Sequence, residues 1–144
     1  MALTVEEICR CLNLQPHPEG GLYAETFRDN QEPSHLGPRG HSTAIYFLLQ
    51  WDKPSAWHRV KDAAEVWHWY GGAPLTLTIG CKGMPHEIQR LGIDLINGER
   101  PQAVVPAGCW QTAQTLGAWT LVGCTVAPGF DIAQFELAGT NWEI

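Results

Sequence analysis

The reading of this chain turns on one stretch: Trp57-His58-Arg59-Val60-Lys61-Asp62-Ala63-Ala64-Glu65-Val66-Trp67-His68-Trp69-Tyr70-Gly71-Gly72-Ala73-Pro74-Leu75. Two His, one Glu, an Arg and three Trp are concentrated in it. It runs through Gly71-Gly72, read as a turn, into Leu75-Thr76-Leu77-Thr78-Ile79, which alternates apolar and polar residues as a half-buried strand does. A second stretch, Val104-Val105-Pro106-Ala107-Gly108-Cys109-Trp110-Gln111, complements it. The two are expected to face each other across a small β-barrel and to form one pocket.

Outward from that centre, Thr43-Ala44-Ile45-Tyr46-Phe47-Leu48-Leu49 is β-branched, aromatic and apolar almost throughout, which predicts a strand buried on both faces. Leu22 to Arg28 follows a Gly20-Gly21 pair and predicts another. Trp119 to Val126 is strongly strand-like, Ile88 to Leu91 and Ala103 to Val105 are shorter candidates, and Phe130 to Leu137 reads as the last strand. Residues 29 to 42, rich in Pro, Gly, Ser, Asn and His, read as a surface loop. Only the N-terminus reads as helical. In Thr4-Val5-Glu6-Glu7 the Thr hydroxyl can accept from the Glu7 amide while Glu7 reaches back, a capping box that starts a helix over about Val5 to Leu12. Pro16 and Pro18 prevent its continuation. Short strands between Gly/Pro turns, with one helix, predict an all-β sandwich or barrel.

The 144 residues suggest a single domain, 1–144, with a core large enough to fold without disulfides. Hydrophobic content of 44% and charged content of 17% mark a folded chain. A net charge of -6 with nine Lys and Arg leaves no basic footprint, which argues against nucleic acid and anionic membrane surfaces as partners. The N-terminal residues show no signal peptide and no membrane span is evident. The five Cys lack any C-x-x-C spacing and are read as reduced thiols of a cytoplasmic protein, with Cys109 as a buried filler or, beside the pocket, a nucleophile.

The spacings point to a known group. The general cupin pattern has a first motif G-x5-H-x-H-x(3,4)-E-x6-G and a second G-x5-P-x-G-x2-H-x3-N. His58, Glu65 and Gly72 stand at the first His, the Glu and the closing Gly; Pro106, Gly108 and Gln111 stand at the Pro, the Gly and the His of the second. The chain resembles, more specifically, the cupin-like family once called domain of unknown function 985. The resemblance extends over His17-Pro18-Glu19-Gly20-Gly21 with Tyr23, Glu25-Thr26 and Arg28, through His58-Arg59 and Glu65-Val66-Trp67-His68, to Leu121-Val122-Gly123-Cys124-Thr125-Val126-Ala127-Pro128-Gly129-Phe130. It implies a double-stranded β-helix (jelly-roll) barrel with the one short N-terminal helix, and a homodimer. It implies little about a reaction, because the fold hosts unrelated functions.

The departures from the cupin pattern bear on chemistry. A metal cupin offers three His and one Glu. Here the second His position is Val60 and the His of the second motif is Gln111. If a metal were bound, His58, Glu65 and His68 would be the donors, yet strand alternation places Glu65, Trp67 and Trp69 on one face and His68 on the other unless a bulge intervenes. The expectation is therefore no cofactor. His58 is the candidate general base, Glu65 its orienting or proton-holding partner, and Tyr46, or alternatively Tyr70, the acid. Arg59, Trp57, Trp67, His68, Trp110 and Gln111 are the candidate ligand-binding residues, with Arg59 able to clamp a carboxylate or phosphate. His17 and Glu19 are expected to fix a turn or a dimer contact. The leading reading is a cupin that binds a small polar metabolite, with metal-independent epimerisation or isomerisation of a sugar or sugar-nucleotide as its activity. The alternatives are a metal-dependent dioxygenase or isomerase and a non-enzymatic binding or structural protein.

Overall fold

In a computed structural model, which describes residues 2–29 and 40–139, the chain forms two antiparallel sheets after one helix. The helix, α1, spans Val5–Leu12, and its capping box is made in both directions: Glu7 N donates to Thr4 Oγ1 (3.1 Å) and Thr4 N to Glu7 Oε2 (3.2 Å). Asn13 ends it in the left-handed conformation (φ 55°). The strands are β1 (Gln15–Pro16), β2 (Leu22–Arg28), β3 (Thr43–Gln50), β4 (His58–Val60), β5 (Ala64–Gly72), β6 (Leu75–Gly80), β7 (Glu87–Leu91), β8 (Gln102–Val105), β9 (Trp110–Thr115), β10 (Trp119–Ala127) and β11 (Phe135–Leu137). One sheet has the order β1-β2-β3-β10-β5-β8 and the other β11-β4-β9-β6-β7. The expected all-β jelly-roll barrel with one short N-terminal helix is what the chain adopts.

Four expectations need correction. Gly71 and Gly72 belong to β5 and do not turn it. The chain leaves at Ala73-Pro74 and enters the other sheet, because β5 pairs with β10 and β8 whereas β6 pairs with β7 and β9. Gly72 has φ +87°, and a Cβ there would lie 2.5 Å from the Trp119 carbonyl oxygen, so glycine is required for that close approach. The last strand is only Phe135–Leu137, preceded by a 3-10 turn over Ile132–Gln134. Two further strands, β4 and β9, carry no clear alternation in the sequence; they begin within the two stretches that hold the motif residues. Finally, Cys81 and Cys109 are joined in a disulfide, not reduced. They extend the β6–β9 ladder by one step beyond Gly80↔Trp110, so the register brings them opposite each other. Cys109 is thus no nucleophile here. Residues 30–39 of the expected surface loop lie outside the described residues; its base is held by Asp29 N to Ser42 O (2.9 Å) and His41 N to Asp29 O (3.0 Å).

Strand alternation divides the interior in two. Phe47, Leu49, Trp67, Leu75, Leu77 and Val122 pack between the sheets and are essentially inaccessible. Each such side chain contributes roughly 1.5–3 kcal/mol by burial. The inward residues at the other end of the same strands, Thr43 and Ile45 on β3, Glu65 on β5, and Cys124 and Val126 on β10, line an open cavity instead.

Candidate active site

The cavity has a volume of about 480 Å³. Its inner end is built from β4, β5 and the turn before β2. His58 and Glu65 face inward because each stands at an inward position of its strand, and the chain between them, residues 61–63, is a tight bend. The third member comes from His17-Pro18-Glu19-Gly20-Gly21. That turn is closed by His17 N to Gly21 O and Gly20 N to His17 O, both 3.0 Å. Gly20 and Gly21 have φ of 93° and 75°, which other residues rarely adopt. A Cβ on Gly21 would lie 2.7 Å from the Phe47 ring, so the turn can sit against the core only with glycine there. Glu19 O accepts from Ala56 N (2.7 Å), which ties the turn to the entry of β4.

The result is a buried chain of polar groups. Glu19 Oε2 contacts His58 Nε2, and this oxygen has no other hydrogen-bonding partner. His58 Nδ1 lies 2.7 Å from Ala56 O, an acceptor, so Nδ1 carries a proton. Both ring nitrogens then face oxygens, and His58 is held as an imidazolium against the Glu19 carboxylate. Burial by itself would lower the His58 pKa; the Glu19 charge and contact, with Glu65 behind, outweigh it and leave it raised. On the far side, Trp67 Nε1 donates to Gln111 Oε1 (2.8 Å), and Gln111 Nε2 donates to Glu65 Oε1 (2.8 Å). This relay also fixes which way the Gln111 amide points. Burial and the Glu19 charge push the Glu65 carboxyl up to about 7, against the opposing pull of His58 and Gln111. His17 Nδ1 accepts from Glu19 N (3.1 Å), so that nitrogen is unprotonated, and its 3.6 Å approach to Glu19 Oε1 is proximity and not an ion pair. Burial lowers its pKa. The Cys124 thiol beside these groups is driven up by burial and by the Glu65 and Glu19 charges, which makes it a poor nucleophile.

The mouth is formed by β2 and the segment before β11. Glu25 and Arg28 are three apart and would point to opposite faces of a regular strand. The register shifts between Glu25 and Phe27, which places Glu25 opposite Ile45 and Arg28 opposite Thr43, so both face the cavity. There Arg28 holds Glu25 (2.8 and 3.4 Å) and the Phe130 carbonyl (3.1 Å). Tyr23 also faces inward, its ring 4.5 Å from His17. Phe130, Asp131, Ile132 and Phe135 complete the rim.

The candidates named from sequence separate accordingly. His58 and Glu65 meet at the cavity, and Trp67 and Gln111 stand directly behind Glu65. The others do not reach it. Tyr46 points to the outer face of the six-stranded sheet, its ring 6.2 Å from Tyr70. His68 is on that face too, with Nε2 on Thr125 Oγ1 (3.0 Å), so it cannot join Glu65 and His58 around a metal. The irregularity in β5 falls opposite Leu121/Val122, beyond His68, and leaves the Glu65–His68 phase unchanged. Arg59 faces away: it bonds Glu136 through Nε (3.0 Å) and Nη2 (2.8 Å) and lies 4.8 Å over the Trp110 ring. Trp110 is therefore spent outside the cavity, and Trp57 packs near His86 at 5.5 Å. Sequence reasoning missed Glu19, Tyr23, Glu25 and Arg28 as cavity residues. The signal was present in the glycine pair and in the polar residues of β2, but it needed the bulge to be visible.

The chain is similar to several known proteins. A family model described as Cupin superfamily (DUF985) matches residues 6–138. A protein of known structure from Shewanella oneidensis is 34% identical, with a TM-score of 0.87 over 94% of this chain and 85% of that one. A hypothetical protein from Leishmania major is 31% identical, with a TM-score of 0.84 over 93% of this chain and 86% of that one. A cupin 2 conserved barrel protein from Rhodopseudomonas palustris shares the fold alone, at 13% identity and a TM-score of 0.59 over 98% of this chain and 76% of that one. No curated protein matches the chain.

Proposed function

This chain belongs to the Cupin superfamily (DUF985), and on that premise we propose that its cavity binds a small polar metabolite and moves a proton on it without a metal, as an isomerase or epimerase does. The observation that carries the reading is the Glu19–His58–Glu65 cluster at the inner end of an open cavity. A carboxyl held near neutrality can both give and take a proton at physiological pH. His58, with both nitrogens engaged, holds Glu19 in place and is not itself the base; Glu65 takes that role, with Gln111 and Trp67 orienting it. Tyr23, the phenol that lines the cavity, replaces Tyr46 as the acid candidate.

The donor set does not suit a transition metal. Val60 and Gln111 stand at two ligand positions of the cupin pattern, His58 Nε2 is engaged by Glu19, and no three His, Cys, Asp or Glu among the described residues are grouped to hold an ion. A free sugar or a similar metabolite suits the lining better than a sugar-nucleotide, whose diphosphate would meet Glu25 and Asp131 with Arg28 already engaged.

The test is a metabolite screen by intrinsic Trp fluorescence and thermal shift, followed by incubation of each bound compound in deuterium oxide. A bound compound that gains one carbon-bound deuterium with the native protein, and none with Glu65→Gln, supports the reading. Binding with no deuterium uptake converts the protein to a non-enzymatic binding cupin. No binder tighter than millimolar removes the pocket reading altogether.

A further inference from the structure

We propose that the cavity takes an organic cation: a ligand whose protonated amine lies between Glu65 and Glu19 and whose body lies against Tyr23, Phe130 and Phe135. This rests on the cavity being a ligand site, as read above, and adds the charge of what enters it. The described lining carries four carboxylates, Glu19, Glu25, Glu65 and Asp131, against one guanidinium, Arg28, and the imidazoles of His17 and His58. His17 contributes no charge while its Nδ1 accepts from the Glu19 amide. The two cationic groups are committed to Glu19 and Glu25, which leaves Glu65 and Asp131 without a cationic partner among the described residues. His58 bonds Ala56 O and contacts Glu19; Arg28 holds both oxygens of Glu25 and the Phe130 carbonyl. An anionic ligand would therefore meet carboxylates with no uncommitted cation among the described residues.

An amine fits for two independent reasons. Glu19 is nine-tenths buried, and its Oε2, whose one contact is His58 Nε2, keeps lone-pair capacity for a second donor at the cavity's inner end. An ammonium, with three donors, can fill that remaining capacity and reach Glu65 at the same time. The walls are rings: Tyr23, Phe130 and Phe135 surround the approach, and aromatic faces attract an ammonium while carrying an apolar body. A neutral hydroxyl meets the hydrogen-bond need but not the charge imbalance.

Two size-matched ligand sets test this by isothermal titration on the full chain: glucosamine, glucose and glucuronate, and 2-phenylethylamine, 2-phenylethanol and phenylacetate. In at least one set the amine is expected to bind about tenfold or more tighter than its neutral partner, with the carboxylate weakest. Amine binding should release protons, seen as an apparent enthalpy that varies with buffer ionisation heat, because an ammonium beside Glu65 favours its ionised form. Glu65→Gln, which can still accept from Gln111, should erase both the amine's advantage and the proton release. A neutral or carboxylate member that matches or exceeds the amine overturns the cation inference and leaves the pocket reading standing. No amine in either set binding in the millimolar range also overturns it. The pocket reading itself falls only if the wider metabolite screen is empty.

Discussion

Glu19 and His58 illustrate how a buried pair of charges acts at the scale of single residues. Each is almost fully buried, so each depends on the other for the loss of water. His58→Ala leaves the Glu19 carboxylate alone in the interior and should destabilise the chain by about 3–5 kcal/mol. Glu19→Gln in the same background should recover much of that loss, since it removes the stranded charge. Urea unfolding of the two variants checks this, and equal stabilities would show that no buried charge is at stake. Gln111→Ala tests the relay. The Gln111 hydrogen bond holds the Glu65 pKa down, so its removal should move Glu65 further above about 7, as read by carboxyl carbon NMR titration.

Among the elements, the β6–β9 ladder and the β2 bulge place the site. Gln111 lies opposite Ile79 on β6 and opposite His58 on β4, two residues from the Cys81–Cys109 link. The link closes a loop with a sequence separation of 28. Its removal by Cys81→Ser with Cys109→Ser should cost about 2–4 kcal/mol, measured as a lowered melting temperature that reductant no longer affects. An unchanged melting temperature would mean that the ladder alone holds these ends. The bulge in β2 was not legible in the sequence, because Glu25-Thr26-Phe27-Arg28 has no glycine to mark it. Only pairing with β3 shows that Thr26 is the extra residue, and hence that Glu25 and Arg28 share a face. By contrast α1 was legible to the residue, since a capping box and two prolines are local signals.

At the scale of the whole molecule the buried titrating groups make stability depend on pH. Glu65 has its pKa raised to about 7 in the folded state. The folded chain therefore keeps a proton that the unfolded chain loses first, and its contribution is full at low pH and is lost as pH rises to about 7. The size of the effect is ~3 kcal/mol at most. His58, also raised, acts in the same sense, its contribution disappearing as pH rises through its folded value. His17 is lowered and acts in the opposite sense, losing stability as pH falls below its ordinary value of 6.5. Above about pH 6.5 only the falling contributions remain, so the melting temperature should decline from there to about pH 8. Glu65→Gln should flatten that decline. A decline of the same slope in Glu65→Gln would assign it to His58 alone.

The sequence by itself determined what is local or periodic: the helix and its cap, most strands by alternation, the barrel class, Val60 and Gln111 at two ligand positions of the cupin pattern, and the opposed phases of Glu65 and His68. These depend on neighbours in the chain, and short-range sterics decide them. Tertiary structure alone decided which polar residues meet. Glu19 is 39 positions before His58 and 46 before Glu65, and no spacing rule joins a glycine turn to strands of two different sheets. The same holds for Tyr46 and Arg59, whose polarity suggested a pocket but whose strand parity, once the sheets are paired, turns them outward. The burial that makes the cluster chemically unusual is a property of the closed barrel and belongs to no segment of it.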